Sequence, residues 1–148
     1  MHGFMGAAGR VHIIQLVHGD DLLDGILQYL QQNCIQNAVV LAGLGTLETC
    51  NVHSVVTTTF PVENRYIEFP AQPLGVSAVN GFIANGQPHI HMVFSTYTGQ
   101  AATFTGHLES GSKVLCRMEI MLLEVGGIEL ERQFDENGVE ILIDKKGR

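Results

Sequence analysis

From residue 38 onward the chain is a succession of short β-branched or apolar runs, each broken by Gly, Pro or Asn, and only one stretch ahead of them carries helical periodicity. Strands that follow one another through short turns pair with their sequence neighbours, and that favours an antiparallel sheet over alternating βαβ units. The candidates are Val11–Val17, Ala38–Ala42, a long stretch from Thr46 to Thr59, Tyr66–Phe69, Leu74–Ile83, His89–Thr96, Ala101–Leu108, Val114–Val125 and Val139–Ile143. Val11–Val17 reads as apolar on both faces. In the helical segment, about residues 21 to 33, Leu22, Leu23, Ile26, Leu27 and Leu30 fall on one side, and Asp20 or Asp21 can accept hydrogen bonds from the free amides at its start. The expectation is an α+β fold, sandwich-like: a large, curved, mainly antiparallel sheet with one or two helices packed on it.

With 148 residues, 45% of them apolar and 16% charged, the chain has the material for one packed core and lacks the bias of a disordered segment. No apolar run reaches the ~18 residues that cross a bilayer, and the first residues lack the basic and long apolar regions of a secretory signal. The reading is therefore cytoplasmic, with no membrane partner. Cys34, Cys50 and Cys116 are odd in number, widely spaced and set among apolar residues, which predicts buried free thiols.

Fifteen acidic against eight basic residues give a net charge of −7, and nucleic-acid binding draws most of its affinity from cations that neutralise phosphates. That balance disfavours DNA as a partner. The one basic cluster, Lys145-Lys146-Gly147-Arg148, reads as a solvated tail. Gly43-Leu44-Gly45 invites comparison with a dinucleotide-binding loop, but Glu48 stands where the third glycine belongs and strand-like sequence follows, so a bulge or close backbone approach is the better reading.

Chemistry concentrates in the histidines. His89 and His91 are two apart on a strand candidate, so they share a face, roughly 6.5–7 Å apart along the backbone. The turn at Thr98-Gly99 folds the next strand back. A three-residue loop puts His107 opposite His91, whereas a two-residue loop turns it away, and the turn alone does not decide between them. Imidazoles suit Zn, Cu, Ni or Fe, and three of them with a water in the fourth position is an open zinc arrangement. Ordinary polar strand residues are the competing reading. His12, His18 and His53 are scattered singly and read as structural or exposed, and Glu48, Glu109 and Glu119 are bases or extra ligands only if they face the metal.

The order Gly9-Arg10, Gly19-Asp20-Asp21-Leu22, Leu41-Ala42-Gly43-Leu44-Gly45-Thr46-Leu47, Gly81-Phe82-Ile83, Pro88-His89-Ile90-His91, Gly106-His107-Leu108-Glu109-Ser110-Gly111 and Glu119-Ile120 resembles the plant-and-prokaryote-conserved (PPC, DUF296) domain. The match runs over about residues 9 to 143, leaving a mobile N-terminus at 1–8 and a basic tail at 144–148. The resemblance implies a bent antiparallel sheet, a homotrimer, and a metal ion, zinc first, on His89, His91 and His107. One departure is Thr105 where the family's motif has a glycine before Gly106. Plant members carry an Arg-Gly-Arg-Pro AT-hook that enters the minor groove, and this chain has none, so a DNA-binding label transfers poorly. Three functions compete: a metal-containing trimeric binding module for a small ligand, a metal-dependent enzyme with a Glu as proton acceptor, and a DNA binder.

Overall fold

The computed structural model describes residues 2–146. Eight strands form one antiparallel sheet in the order β1-β8-β2-β5-β6-β7-β3-β4. They are β1 (Ala7–Val17), β2 (Ala38–Leu47), β3 (Cys50–Val55), β4 (Asn64–Phe69), β5 (Leu74–Ala84), β6 (Gln87–Thr96), β7 (Ala102–Glu109) and β8 (Val114–Gly126). A separate hairpin, β9 (Leu130–Phe134) with β10 (Glu140–Asp144), follows, and α1 (Leu22–Gln32) joins β1 to β2. The α+β expectation holds, with one helix among the described residues. No helix among them is long and apolar enough to cross a membrane.

Asp21 fixes the helix start. Its Oδ1 accepts the Leu23 and Asp24 amides at 3.1 Å each, while Oδ2 accepts the Gly111 amide at 2.7 Å, so one carboxylate caps α1 and holds it to the β7–β8 turn. Leu22, Ile26 and Leu30 are fully buried and pack on Ile14 and Leu16 of β1 and on the inner residues of β5, β6 and β8, among them Val79, Phe94, Met118 and Ile120. Burying each such side chain contributes about 1.5–3 kcal/mol, which makes this inner layer the main stabilising element.

The glycine pair of β2 does not end the strand. Register slips between Val40 and Ala42 and again between Gly45 and Leu47. Gly45 has φ +150°, and a Cβ there would stand 2.1 Å from the Arg117 carbonyl oxygen, so only glycine lets β2 and β8 close up. The bulge reading is correct and the single long strand from Thr46 to Thr59 is not: β3 begins at Cys50 after a break at Glu48-Thr49.

Three further expectations need correction. β1 is apolar on both faces in sequence, but only His12, Ile14 and Leu16 are buried; Val11, Ile13 and Val17 face outward and are exposed, because α1 covers one side of the sheet only. Of the cysteines, Cys50 alone is buried, and burial raises its thiol to about 12. Cys34 follows the helix end at φ +55°, Cys116 lies beside the β2 bulge with its amide on Thr46 Oγ1, and both are exposed free thiols. Strand β9 was not anticipated. At the ends, β1 already pairs at Ala7 with Gly126, inside the stretch expected to be mobile. Of the basic tail, Lys145 pairs with Glu131 and Lys146 with Glu129, while Gly147 and Arg148 lie outside the described residues.

Candidate metal centre

Alternation along β6 buries Ile90, Met92 and Phe94 and turns His89 and His91 to the opposite, outer face of the sheet. The β6–β7 connection, Tyr97–Ala101, has an odd number of residues, and His107 comes to lie directly opposite His91. His107 thus joins the outer face, and its neighbour Leu108 points into the core. The three rings meet: centroids are 5.2 Å apart for His89 and His91, 4.8 Å for His89 and His107, and 5.3 Å for His91 and His107. One ring nitrogen from each lies within 4.8 Å of the other two.

The closest approach is the informative one. Nε2 of His89 and Nε2 of His91 are 3.2 Å apart. A tetrahedral ion with bonds of about 2.05 Å to nitrogen has ligands about 3.3 Å from one another, so these two donors already stand at the edge length of such a shell. No carboxylate belongs to this group of three, and each ring is held in the neutral form that binds metals. Desolvation, followed by the charges of Arg132 and His91, lowers the pKa of His89; desolvation and then His53 lower that of His91. His107, half buried, is lowered to about 4, by desolvation first and then by His53, His89, His91 and Arg132.

Two side chains close the group from opposite ends. Arg132 of β9 donates to the carbonyls of Gln87 at 2.9 Å and Phe82 at 3.2 Å, and Phe82 is the cross-strand partner of His89. A cavity of about 280 Å³ opens there, lined by Gln87, Pro88, Arg132 and Glu140 among others. At the other end His53 of β3 lies opposite His107 with the rings stacked at 4.3 Å, and its Nδ1 donates to Glu109 Oε1 at 2.5 Å. Read singly in sequence, His53 looked structural; the pairing of β3 with β7 makes it part of the same surface. Of the three candidate glutamates, Glu109 alone faces the histidines. Glu119 pairs with Arg117 on β8, and Glu48 sits in the β2–β3 connection.

The remaining histidines are elsewhere. His12 is enclosed between β1, α1 and β8, with Nε2 donating to Glu124 Oε1 at 2.6 Å and Nδ1 3.0 Å from the Tyr29 hydroxyl. His18 donates to the Leu115 carbonyl at 2.7 Å. At the departure from the family's motif, Thr105 is exposed, and it is Gly106 that packs beneath Val52.

This is an α+β domain whose open sheet face carries a preassembled group of nitrogen donors. The chain belongs to the Plants and Prokaryotes Conserved (PCC) domain family, whose profile matches residues 3–126. No curated protein sequence matches it. Among solved structures it is similar to a metal-containing protein of Archaeoglobus fulgidus (22% identity, TM-score 0.80, covering 97% of this chain and 99% of that one). It is equally similar to a plant- and prokaryote-conserved protein of Pyrococcus horikoshii (23%, 0.80, 97% of each). A Bacteroides thetaiotaomicron protein provisionally called DNA-binding shares the fold at 14% identity and TM-score 0.73, over 95% of this chain and 98% of that one.

Proposed function

We propose that this chain is a metal-containing binding module, in which His89, His91 and His107 hold a divalent transition metal, zinc first, and the fourth position takes a small ligand. The observation that carries the reading is the convergence of three neutral imidazoles with donor atoms within 4.8 Å of one another, two of them at the ligand spacing of a tetrahedral shell. The metal-containing relative from Archaeoglobus supports it. Bound there, such an ion polarises a ligand or lowers the pKa of bound water. The residues' part is to present lone pairs at fixed spacing on the open face of the sheet.

The same outer face is suited to self-association, for which the homotrimer that the family resemblance implies is our reading. Val11, Leu123, Val39, Phe82 and His89 form one row of cross-strand neighbours from β1 to β6, and Ile13, Met121 and Ala42 form the next. Ile13 is 71% exposed and Phe82 52%, an apolar surface that a second copy would cover. A metal-dependent enzyme is the second reading, favoured by a carboxylate, Glu109, reached from the metal group through His53. DNA binding ranks below both: a chain of net charge −7 has few cations with which to neutralise phosphates.

Elemental analysis of purified protein should give about one zinc or related ion per chain. Replacing His89, His91 and His107 together by alanine should abolish it while leaving the circular dichroism spectrum intact. Metal content unchanged in that variant would sink the assignment, and light scattering of the same samples tests the trimer.

A further inference from the structure

The outer-face row continues past His107. Asn80, His91, His107, His53 and Tyr66 are successive cross-strand partners on β5, β6, β7, β3 and β4, so the imidazoles are spaced by the sheet itself. Beyond the first group of three stands a second: one donor atom from each of His53, His107 and Glu109 lies within 4.8 Å of the other two, and all three side chains are half buried. Two imidazoles and a carboxylate form a ligand set for Zn, Fe or Mn. All three sit on the paired strands β3 and β7, where the His53 and His107 rings stack at 4.3 Å, so a turn of one ring about its side chain, with no loop to order, aims both at one ion.

We infer that His53 and Glu109, with the second nitrogen of His107, form a second cation position adjoining the first; the inference rests on reading His107 as a ligand of the first ion. The two nitrogens of an imidazole lie on opposite edges of the ring, so His107 can turn one to each ion. In the metal-free chain the His53–Glu109 contact of 2.5 Å is held by one proton. A divalent ion takes the place of that proton and of the remaining ring proton on His107. The second ion also meets the charge of the first close by and therefore binds more weakly. The arrangement is a pair of neighbouring ions with His107 between them.

The test is a count of bound zinc, by equilibrium dialysis of the metal-free full-length chain followed by mass spectrometry, in the wild type and three variants. Wild type should saturate at two ions per chain, one tight and one weak. Glu109→Gln, which keeps size and can still accept from His53, should weaken the second ion about 10-fold or more and leave the tight one unchanged. His53→Ala should do the same, while His89→Ala combined with His91→Ala should remove the tight ion and keep the weak one. A wild type that saturates at one ion, lost with His89 and His91 and indifferent to Glu109→Gln, overturns the second position and leaves the first standing. A wild type that binds no zinc overturns both.

Discussion

His12 and the cluster of His89, His91 and His107 are two answers to the same problem, how to place imidazole on a sheet. On the inner side His12 has a partner for each nitrogen, the Glu124 carboxylate at 2.6 Å and the Tyr29 hydroxyl at 3.0 Å, and Arg10 adds a further contact to Glu124 at 2.8 Å. Its hydrogen bonding is complete without a ligand, and it ties β1, α1 and β8 together. On the outer side three imidazoles face one another with two Nε2 atoms 3.2 Å apart and no acid in the group. Their bonding is left for something else to complete. The difference separates a histidine satisfied by its own fold from three that the fold brings together without completing their hydrogen bonding.

The largest expected effect follows from exchanging the two roles. His91→Ala removes one of three ligands and should weaken metal binding by about 100-fold or more, with little change in the stability of the metal-free chain. His12→Ala should leave metal content unchanged and cost about 2 kcal/mol, because Glu124 and Tyr29 each lose a partner in a partly buried setting. At this chain length that is roughly 6 °C in Tm. Calorimetry and a zinc titration on both variants make the check; a His12 variant that loses metal, or a His91 variant that keeps it, would collapse the distinction.

A subtler change tests whether the sheet does the organising. Gly81 lies opposite Ile90, and a Cβ on it would fall 2.2 Å from the His89 carbonyl oxygen and 2.9 Å from the Ile90 Cα. Backbone cannot yield there without shifting β6, so Gly81→Ala should displace His89 relative to His107 and lower zinc affinity about 10-fold, though it removes no ligand. Serine at Thr105, exposed on the neighbouring strand, is the control and should leave affinity as it is. Equal affinities in Gly81→Ala and wild type would mean that the ion itself, rather than the strand spacing, gathers the ligands.

How far these features could be read in the sequence depends on how local they are. His89 and His91 were legible because strand period alone puts them on one face, and α1 was legible because Leu22, Ile26 and Leu30 recur over three turns behind an acidic cap. His107 was half legible: the HxH strand and the turn brought it near, but only the odd-numbered connection seen in the fold chooses its face. His53 was not legible at all, since its place beside His107 comes from pairing β3 with β7, an association of distant segments that no local pattern announces. β9 was missed for a different reason. Its Leu-Glu-Arg-Gln-Phe carries too few apolar residues to read as a strand, and what holds Arg132 in place is a pair of backbone carbonyls from β5 and β6.

The smallest expected effect, and the one that sets the two assemblies on a common axis, is the response of the metal-free chain to acid. His89, His91 and His107 all have folded-state pKa values below the ordinary 6.5, His107 at about 4, so the native chain binds fewer protons than the unfolded one through that interval. Stability from keeping these rings neutral is fully present above about pH 6.5 and is lost as pH falls toward 4. For Glu124, burial raises the pKa, but hydrogen bonds and charge from His12 and Arg10 outweigh it and hold it below the ordinary 4.5. That contribution is present above pH 4.5 and lost below it, as pH falls through the folded value. The two assemblies should therefore fail in successive windows. Between pH 7 and 4.5 the wild-type Tm should drop by roughly 5 °C more than that of a chain with His89, His91 and His107 all changed to Gln, and the other titrating groups cancel in the difference. Below about pH 4, where His107 is protonated in the folded chain as well, the two curves should run parallel. Parallel curves above 4.5 as well would show that the three imidazoles protonate in the folded chain as freely as in the unfolded one, and that their crowding costs nothing a cation could relieve.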